Sequence, residues 1–269
     1  MDASQPTAWE PLTPWGVAAF ARAPLRRLLL VQCIVALVVG VTVAWLLRDA
    51  YFPTIGAAIA QLPAAGEIRS GKMDWRGESP RLLAEGTFLA FTVDLEHAGE
   101  IRSPAQIQIE FGKTNLLLHS LLGYTEVGYP NGWIIAVNRT ELSPLWGAWR
   151  PWLLVGSVGG VAVYLLASWW VLATIYCGPV WLIGFFANRD LGWRASWRLA
   201  NAALLPGAFV MILGLSFYDL GALDLVRLAF VFVAHLVVGW IYIGVGLFFV
   251  PRLADLTRPT ANPFGSARK

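Results

Sequence analysis

His235 lies in the apolar run 225–250 and is the one ionisable residue near the middle of a stretch long enough to cross a bilayer. A polar group in hydrocarbon is costly, so an imidazole there is a candidate for proton relay, metal ligation or axial ligation of a tetrapyrrole. Zinc takes three or four ligands, and the residues one turn further on are Val238 and Gly239, so this helix offers no second donor. The plain alternative is a neutral imidazole hydrogen-bonded to another helix, at Ser157, Ser168 or Asn201. Asp94, Glu96 and Glu100, clustered with His97, carry the oxygen ligands that a divalent cation takes. A solvated hairpin tip explains that cluster more simply, because nothing fixes three oxygens on one point. Arg227, three residues after Asp224, reads as a local ion pair at a helix end.

The chain contains no Walker loop, dinucleotide fingerprint, HExxH pair, GxSxG elbow or Cys/His ligand spacing. It therefore suggests no catalytic residues, no metal and no resident cofactor. A net charge of +3 without a basic run excludes a nucleic-acid argument. Cys33 and Cys177 fall in apolar segments, so no disulfide framework supports the polar middle of the chain. Asn138-Arg139-Thr140 fits the N-glycosylation triplet.

Other residues point to contact rather than chemistry. Gly156 and Gly160 stand four apart, with Gly159 beside them and Ala167 two turns on, and such a small-residue face lets a second helix approach closely. Val163 makes that face shallower, and packing within the chain is its plain reading. Trp146, Trp149 and Trp152 form an aromatic edge; with the strand residues Phe88, Phe91 and Val93 they complete a candidate partner-contact set.

Elements that would position these residues follow from composition. With 57% hydrophobic residues and 14% charged, the chain reads as an integral membrane protein of the α-helical class. Residues 28–47 make a first crossing of about 30 Å, longer than the apolar part of a signal peptide. Arg22, Arg26 and Arg27 precede it and assign the N-terminus to the cytoplasm by the positive-inside rule. Residues 1–27 form a cytoplasmic segment, with an interfacial helix from Pro14 whose Trp15, Val17 and Ala18 lie on the membrane.

Residues 48–150 change character. An amphipathic helix over 50–63 precedes alternating strands around 88–95 and 105–111, giving one extracytoplasmic α+β domain built on an antiparallel meander. Residues 151–250 form a three-helix membrane bundle. Trp152 and the Trp169-Trp170 pair are about 27 Å apart along a helix, one hydrocarbon thickness, so the neutral stretch 151–188 crosses once. Gly178-Pro179 then breaks or kinks the helix, leaving 176–188 in the cytoplasmic interface or re-entering shallowly. A third crossing follows over 200–217, kinked at Pro206, and a fourth over 225–250. Arg189, Arg194, Arg198 and the tail 251–269, with Arg252, Arg258, Arg268 and Lys269, fall inside, whereas Asp219 and Asp224 fall outside. Four crossings with both termini cytoplasmic satisfy the charge rule.

A first helix followed by "YFPTIGAAIAQLP", "GEIRSGKM", "FLAFTVDLEHAG", "IQIEF" and "WRLANAALLP" resembles the bacterial family catalogued as domain of unknown function 1189. Members are often labelled maltodextrin-utilisation membrane proteins. The "SWRLANAALLPG" stretch, with Arg198 and Pro206, is similar to the Yip-type membrane family. The resemblance covers most of 28–250; it implies this architecture and a bacterial inner membrane, and supplies no catalytic residues. The expected function is a non-enzymatic accessory or scaffold subunit whose partners are membrane lipid and other membrane protein subunits. A second reading gives the outer domain a small ligand such as a sugar, with Trp75, Tyr124, Tyr129 and Trp133 as aromatic candidates. A third makes His235 a pigment or cofactor ligand.

Overall fold

The computed structural model describes residues 9–253, so Arg258, Arg268 and Lys269 of the expected cytoplasmic tail lie outside the described residues. Four helical runs among them are long and apolar enough to cross a membrane: Leu25–Gln61, Arg139–Phe186, Trp193–Asp219 and Leu225–Phe249. The chain divides into two compact units, one of Met1–Leu37, Ala162–Met211 and Val233–Lys269, the other of Val38–Val161 and Ile212–Phe232.

The first unit begins with α1 (Pro14–Phe20). Thr13 caps it, Oγ1 accepting the Gly16 N–H at 3.2 Å, and Pro14 supplies a first-turn residue with no N–H to leave unpaired. The expected membrane-facing side is instead internal. Val17, Ala18 and Phe20 are buried, and α1 packs on α5 (Trp193–Ala203), while Trp15 stays exposed with its ring T-shaped to Phe249, centroids 6.2 Å apart. Burial inside the protein competes with the interface for the same apolar side, and here it prevails.

Helix α2 (Leu25–Leu46) starts in this unit, and its C-terminal part belongs to the second. The second long helix, α4 (Arg139–Phe186), runs 48 residues unbroken, roughly 72 Å at the helical rise. The helix is not broken at Gly178-Pro179, and residues 176–186 are its last turns. Intrahelical bonding is the cheapest way to satisfy backbone groups away from water, so one missing N–H does not end the helix. Trp169, expected at a membrane edge, is 5% exposed and belongs to the interior.

Helices α5 and α6 (Leu205–Asp219) are separated at Leu204. Pro206 has no N–H for the Ala202 carbonyl, which accepts from the Leu204 N–H instead. Helix α7 (Leu225–Phe249) completes the set. Helix ends and their connections gather in this unit. Arg22 pairs with Asp190 at 2.7 Å, Arg198 Nη1 donates to the Ala23 carbonyl at 2.9 Å, and Arg189 Nη1 donates to the Val250 carbonyl at 2.8 Å.

In the second unit α2 passes through a single π turn (Leu47–Tyr51) into α3 (Phe52–Gln61), so the helices expected as separate elements form one run. Strands β1 (Gly66–Arg69) and β2 (Lys72–Trp75) form a hairpin through Ser70 and Gly71, both at positive φ, as a type I′ turn requires. They make a sheet of order β2-β1-β8 with β8 (Ile134–Ala136). A second sheet contains β3 (Arg81–Glu85), β4 (Leu89–Val93), β5 (Ile107–Phe111), β6 (Asn115–Ser120) and β7 (Gly123–Gly128), in chain order.

This sheet is not the expected antiparallel meander. β4 and β5 are parallel, with Phe91 opposite Ile109, and parallel neighbours need a crossover rather than a tight turn. Residues 94–106 provide it. Gln108 pins the crossover, Nε2 donating to the Ile101 carbonyl at 3.2 Å and Oε1 accepting the Ser103 N–H at 3.1 Å. The core joins α3 to both sheets through Ala58, Leu62, Ile68, Met73, Leu83, Val93 and Val137, with Leu142 of α4 packed against it.

Candidate functional site

The aromatic edge sits where α3 meets the N-terminal end of α4. Trp146 is half-buried with its ring edge on Phe52, centroids 4.9 Å apart, and its Nε1 stands over Gly56. Trp149 and Trp152 are 57% and 68% exposed. Ile59, Leu142, Leu145, Trp146, Trp149 and Leu153 line an apolar groove of about 330 Å³ there.

One turn beyond Trp152 the small-residue face opens. A Cβ added at Gly156, Gly159 or Gly160 would meet nothing within 4 Å. Packing within the chain, the plain reading of these glycines, is therefore not their use. The close helix approach is made by Gly40 of α2, where an added Cβ would stand 2.7 Å from the Val158 carbonyl oxygen. Val155, Val163 and Tyr164 around the open face are all more than half exposed.

The strand part of the contact set is overturned. Phe88 is 7% exposed and Val93 fully buried, and β4 lies inside its sheet between β3 and β5. Phe91 stacks on Phe111, centroids 6.4 Å apart, and packs on the core. Phe88 and Val93 present no surface to a partner and Phe91 only part of one, because period-two alternation identifies an apolar face without saying whether another layer covers it.

His235 is half-buried on α7, where α6 approaches so closely that a Cβ at Gly207 would stand 2.6 Å from the His235 carbonyl oxygen. No group of three His, Cys, Asp or Glu among the described residues is placed to hold a metal. Asn201, one of the partners considered for His235, meets Gln32: Gln32 Nε2 donates to Asn201 Oδ1 at 2.6 Å, and Trp170 Nε1 donates to Gln32 Oε1 at 3.4 Å. Gln32 and Asn201 are both fully buried, and Asn201 Nδ2 has no hydrogen-bond partner. Two amides have no proton to exchange near neutral pH, so this pair orients helices rather than relaying protons.

No family model, curated protein or solved structure matches this chain.

The acidic cluster is not a hairpin tip. Asp94 is buried, 3% exposed, at the start of the crossover, with Oδ2 accepting the Gly99 N–H at 2.9 Å. Burial opposes its ionisation, but the N–H groups of Gly99, Ala98 and Glu96 together with His97 outweigh that and hold its pKa below the ordinary carboxylate value.

His97, at positive φ, points back over the sheet. Its Nδ1 lies 2.6 Å from Glu110 Oε1 and its Nε2 2.7 Å from Asn115 Oδ1. Asn115 donates its Nδ2 to Glu126, which leaves Oδ1 as the acceptor. Both ring nitrogens therefore donate, which requires an imidazolium. Burial lowers the His97 pKa, but the Asn115 and Glu110 hydrogen bonds and the nearby carboxylates overcome it and raise the pKa.

His119 Nε2 stands 3.9 Å from the other oxygen of Glu110. Sequence reading missed this cluster because Glu110 reads as the polar side of an alternating strand. The remaining aromatic candidates do not converge. Tyr124 and Trp133 are 75% and 67% exposed, Trp75 Nε1 donates to the Glu78 carbonyl and Tyr129 OH to the Gly112 carbonyl. Burial pushes the Tyr129 phenol up to about 12.

Proposed function

We propose that this chain is a non-enzymatic accessory or scaffold subunit of a membrane protein complex, seated by four crossings. The observation that carries the reading is the open glycine face. Gly156, Gly159 and Gly160 lie in a membrane-length helix with no chain atom opposite a prospective Cβ, while α4 and α7 cover little of their length within the protein. A glycine costs helix stability and returns nothing against fluid lipid, but it lets a second backbone approach. The occupant is a transmembrane helix of another subunit, steered by exposed Trp149 and Trp152 at the same end of α4.

Topology belongs to the same proposal. Both termini are cytoplasmic and 48–150 is extracytoplasmic, in a bacterial inner membrane as the family resemblance implies. Arg22, Arg26, Arg27, Arg189, Arg194, Arg198 and Arg252 flank the crossings in the first unit, against Arg48, Arg139, Arg150 and Arg227 in the second, the asymmetry that the positive-inside rule favours.

The test is gentle solubilisation of native membranes containing the chain at native abundance, beside Gly156→Leu/Gly160→Leu. The expected result is a membrane protein that co-purifies with the parent chain and not with the double variant. A monodisperse monomer with nothing bound, or a partner retained equally by both, would overturn the reading.

A further inference from the structure

The sequence "WRASWR" that opens α5 repeats Trp-Arg at a spacing of four, so Trp193 and Trp197 share one side of the helix and Arg194 and Arg198 the adjacent side. Together with Leu25 from the start of α2 these four side chains line a cavity of about 310 Å³ within the first unit. We infer that this cavity binds the phosphate of an anionic phospholipid, with the arginines on the headgroup and the indoles and Leu25 along the glycerol and upper acyl chain.

The cavity is built on rigid elements. Trp197 Nε1 donates to Thr174 Oγ1 at 3.1 Å and its ring meets Trp170; the Trp193 ring meets Trp181 with centroids 6.2 Å apart. All three supporting residues belong to α4. Arg198 is anchored through the Ala23 carbonyl, which fixes its guanidinium at the mouth of α2. Arg194 forms no ion pair or hydrogen bond with any described residue.

Charge also favours an anion. Among the described residues the first unit carries Arg22, Arg26, Arg27, Arg189, Arg194, Arg198 and Arg252, seven cations, against Glu10 and Asp190. Asp190 is already held by Arg22, and no carboxylate among the described residues lines the cavity. Planar guanidiniums suit phosphate oxygens, and basic pockets between membrane helices are suited to anionic headgroups. Leu25 and Trp193, 42% and 59% exposed, decide between lipid and soluble phosphate. A free anion would use the arginines alone and leave that apolar wall in water, whereas a lipid covers both.

The experiment is native mass spectrometry of the full chain in a neutral detergent, titrated with dioleoylphosphatidylglycerol, dioleoylphosphatidylcholine and inorganic phosphate. The parent chain is expected to retain the glycerol lipid roughly ten-fold better than the choline lipid, with phosphate at equal concentration displacing neither. Arg194→Gln lowers retention of phosphatidylglycerol about five-fold, and Arg194→Gln/Arg198→Gln about twenty-five-fold, while Arg76→Gln in the second unit changes nothing. Arg194 has no side-chain hydrogen bond or ion pair with a described residue to lose, so its single variant keeps the test valid if the double variant fails to fold. Equal retention of the two lipids, unchanged retention by Arg194→Gln, or displacement of the lipid by phosphate would each overturn the assignment.

Discussion

Gly40 and Val158 bring α2 and α4 into backbone contact, with room for a hydrogen atom and none for a methyl group: a Cβ at 40 would lie 2.7 Å from the Val158 oxygen. One residue along α4, Gly159 faces open space. Gly40→Ala should therefore cost about 1–3 kcal/mol by forcing two helix backbones apart, and Gly159→Ala should be neutral or slightly stabilising in the isolated protein. Thermal unfolding in detergent checks the pair; similar midpoints for both variants would refute the packing account.

Gln32 and Asn201 supply the buried amide contact of the first unit. A double-mutant cycle with Gln32→Leu and Asn201→Leu should return a coupling of about 0.6–1.7 kcal/mol, the range for hydrogen bonds between membrane helices. Additive single effects, measured by denaturation in mixed detergent, would show that the two amides do not interact.

The His97 imidazolium predicts a pH dependence of stability. Its pKa is raised in the folded state, so below about 6.5 the group is protonated in both states and its stabilisation is complete. As pH rises above 6.5 the unfolded chain gives up its proton first. Stability then falls until the folded pKa is passed. His97→Gln should remove that slope and cost about 2 kcal/mol at pH 6, because buried Glu110 loses a charged donor. Gly112→Ala should act similarly, since a Cβ there collides with His97 Nε2. The readout is the unfolding midpoint between pH 6 and 9, and a slope unchanged in His97→Gln would dismiss the pair as its source.

Asp94 acts at the acid end with the opposite sign. Its lowered pKa contributes stability above about 3.8 that disappears as pH falls through the folded value. Asp94→Asn should therefore flatten the acid limb of the same titration and shorten, without abolishing, the limb above 6.5, because the Asp94 charge also helps to hold the His97 proton.

Asn138 is the N-cap of α4: its Oδ1 accepts the Glu141 N–H at 2.9 Å and its Nδ2 donates to Glu141 Oε1 at 3.1 Å, a reciprocal capping box. Its Nδ2 also reaches the Gly66 carbonyl, and the residue is 6% exposed. Asn138→Ala should cost about 1 kcal/mol. Expression in a glycosylating host should add no mass at this triplet, as intact-mass measurement would reveal, because the acceptor nitrogen is enclosed.

Composition and apolar run length alone determined that four segments are fit for hydrocarbon, because a bilayer's thickness is a property any sequence must match with about twenty apolar residues. The opening of α1 at Pro14 was equally legible, since a residue with no N–H is tolerated in the first turn of a helix.

Tertiary structure decided the rest. Gln108 and Glu110 alternate with Ile107 and Ile109 and read as a solvated face, yet the two polar residues are the more deeply buried, beneath a crossover that their own side chains hold. Pro179 reads as a helix break or kink, but the helix continues through it. Gly40 and Gly156 are the same residue in the same kind of helix, one pressed on a backbone and the other open. Periodicity and residue type report what a chain can bury or bend. Which side is covered, and by what, depends on residues a hundred positions away, and only the packed chain brings them into contact.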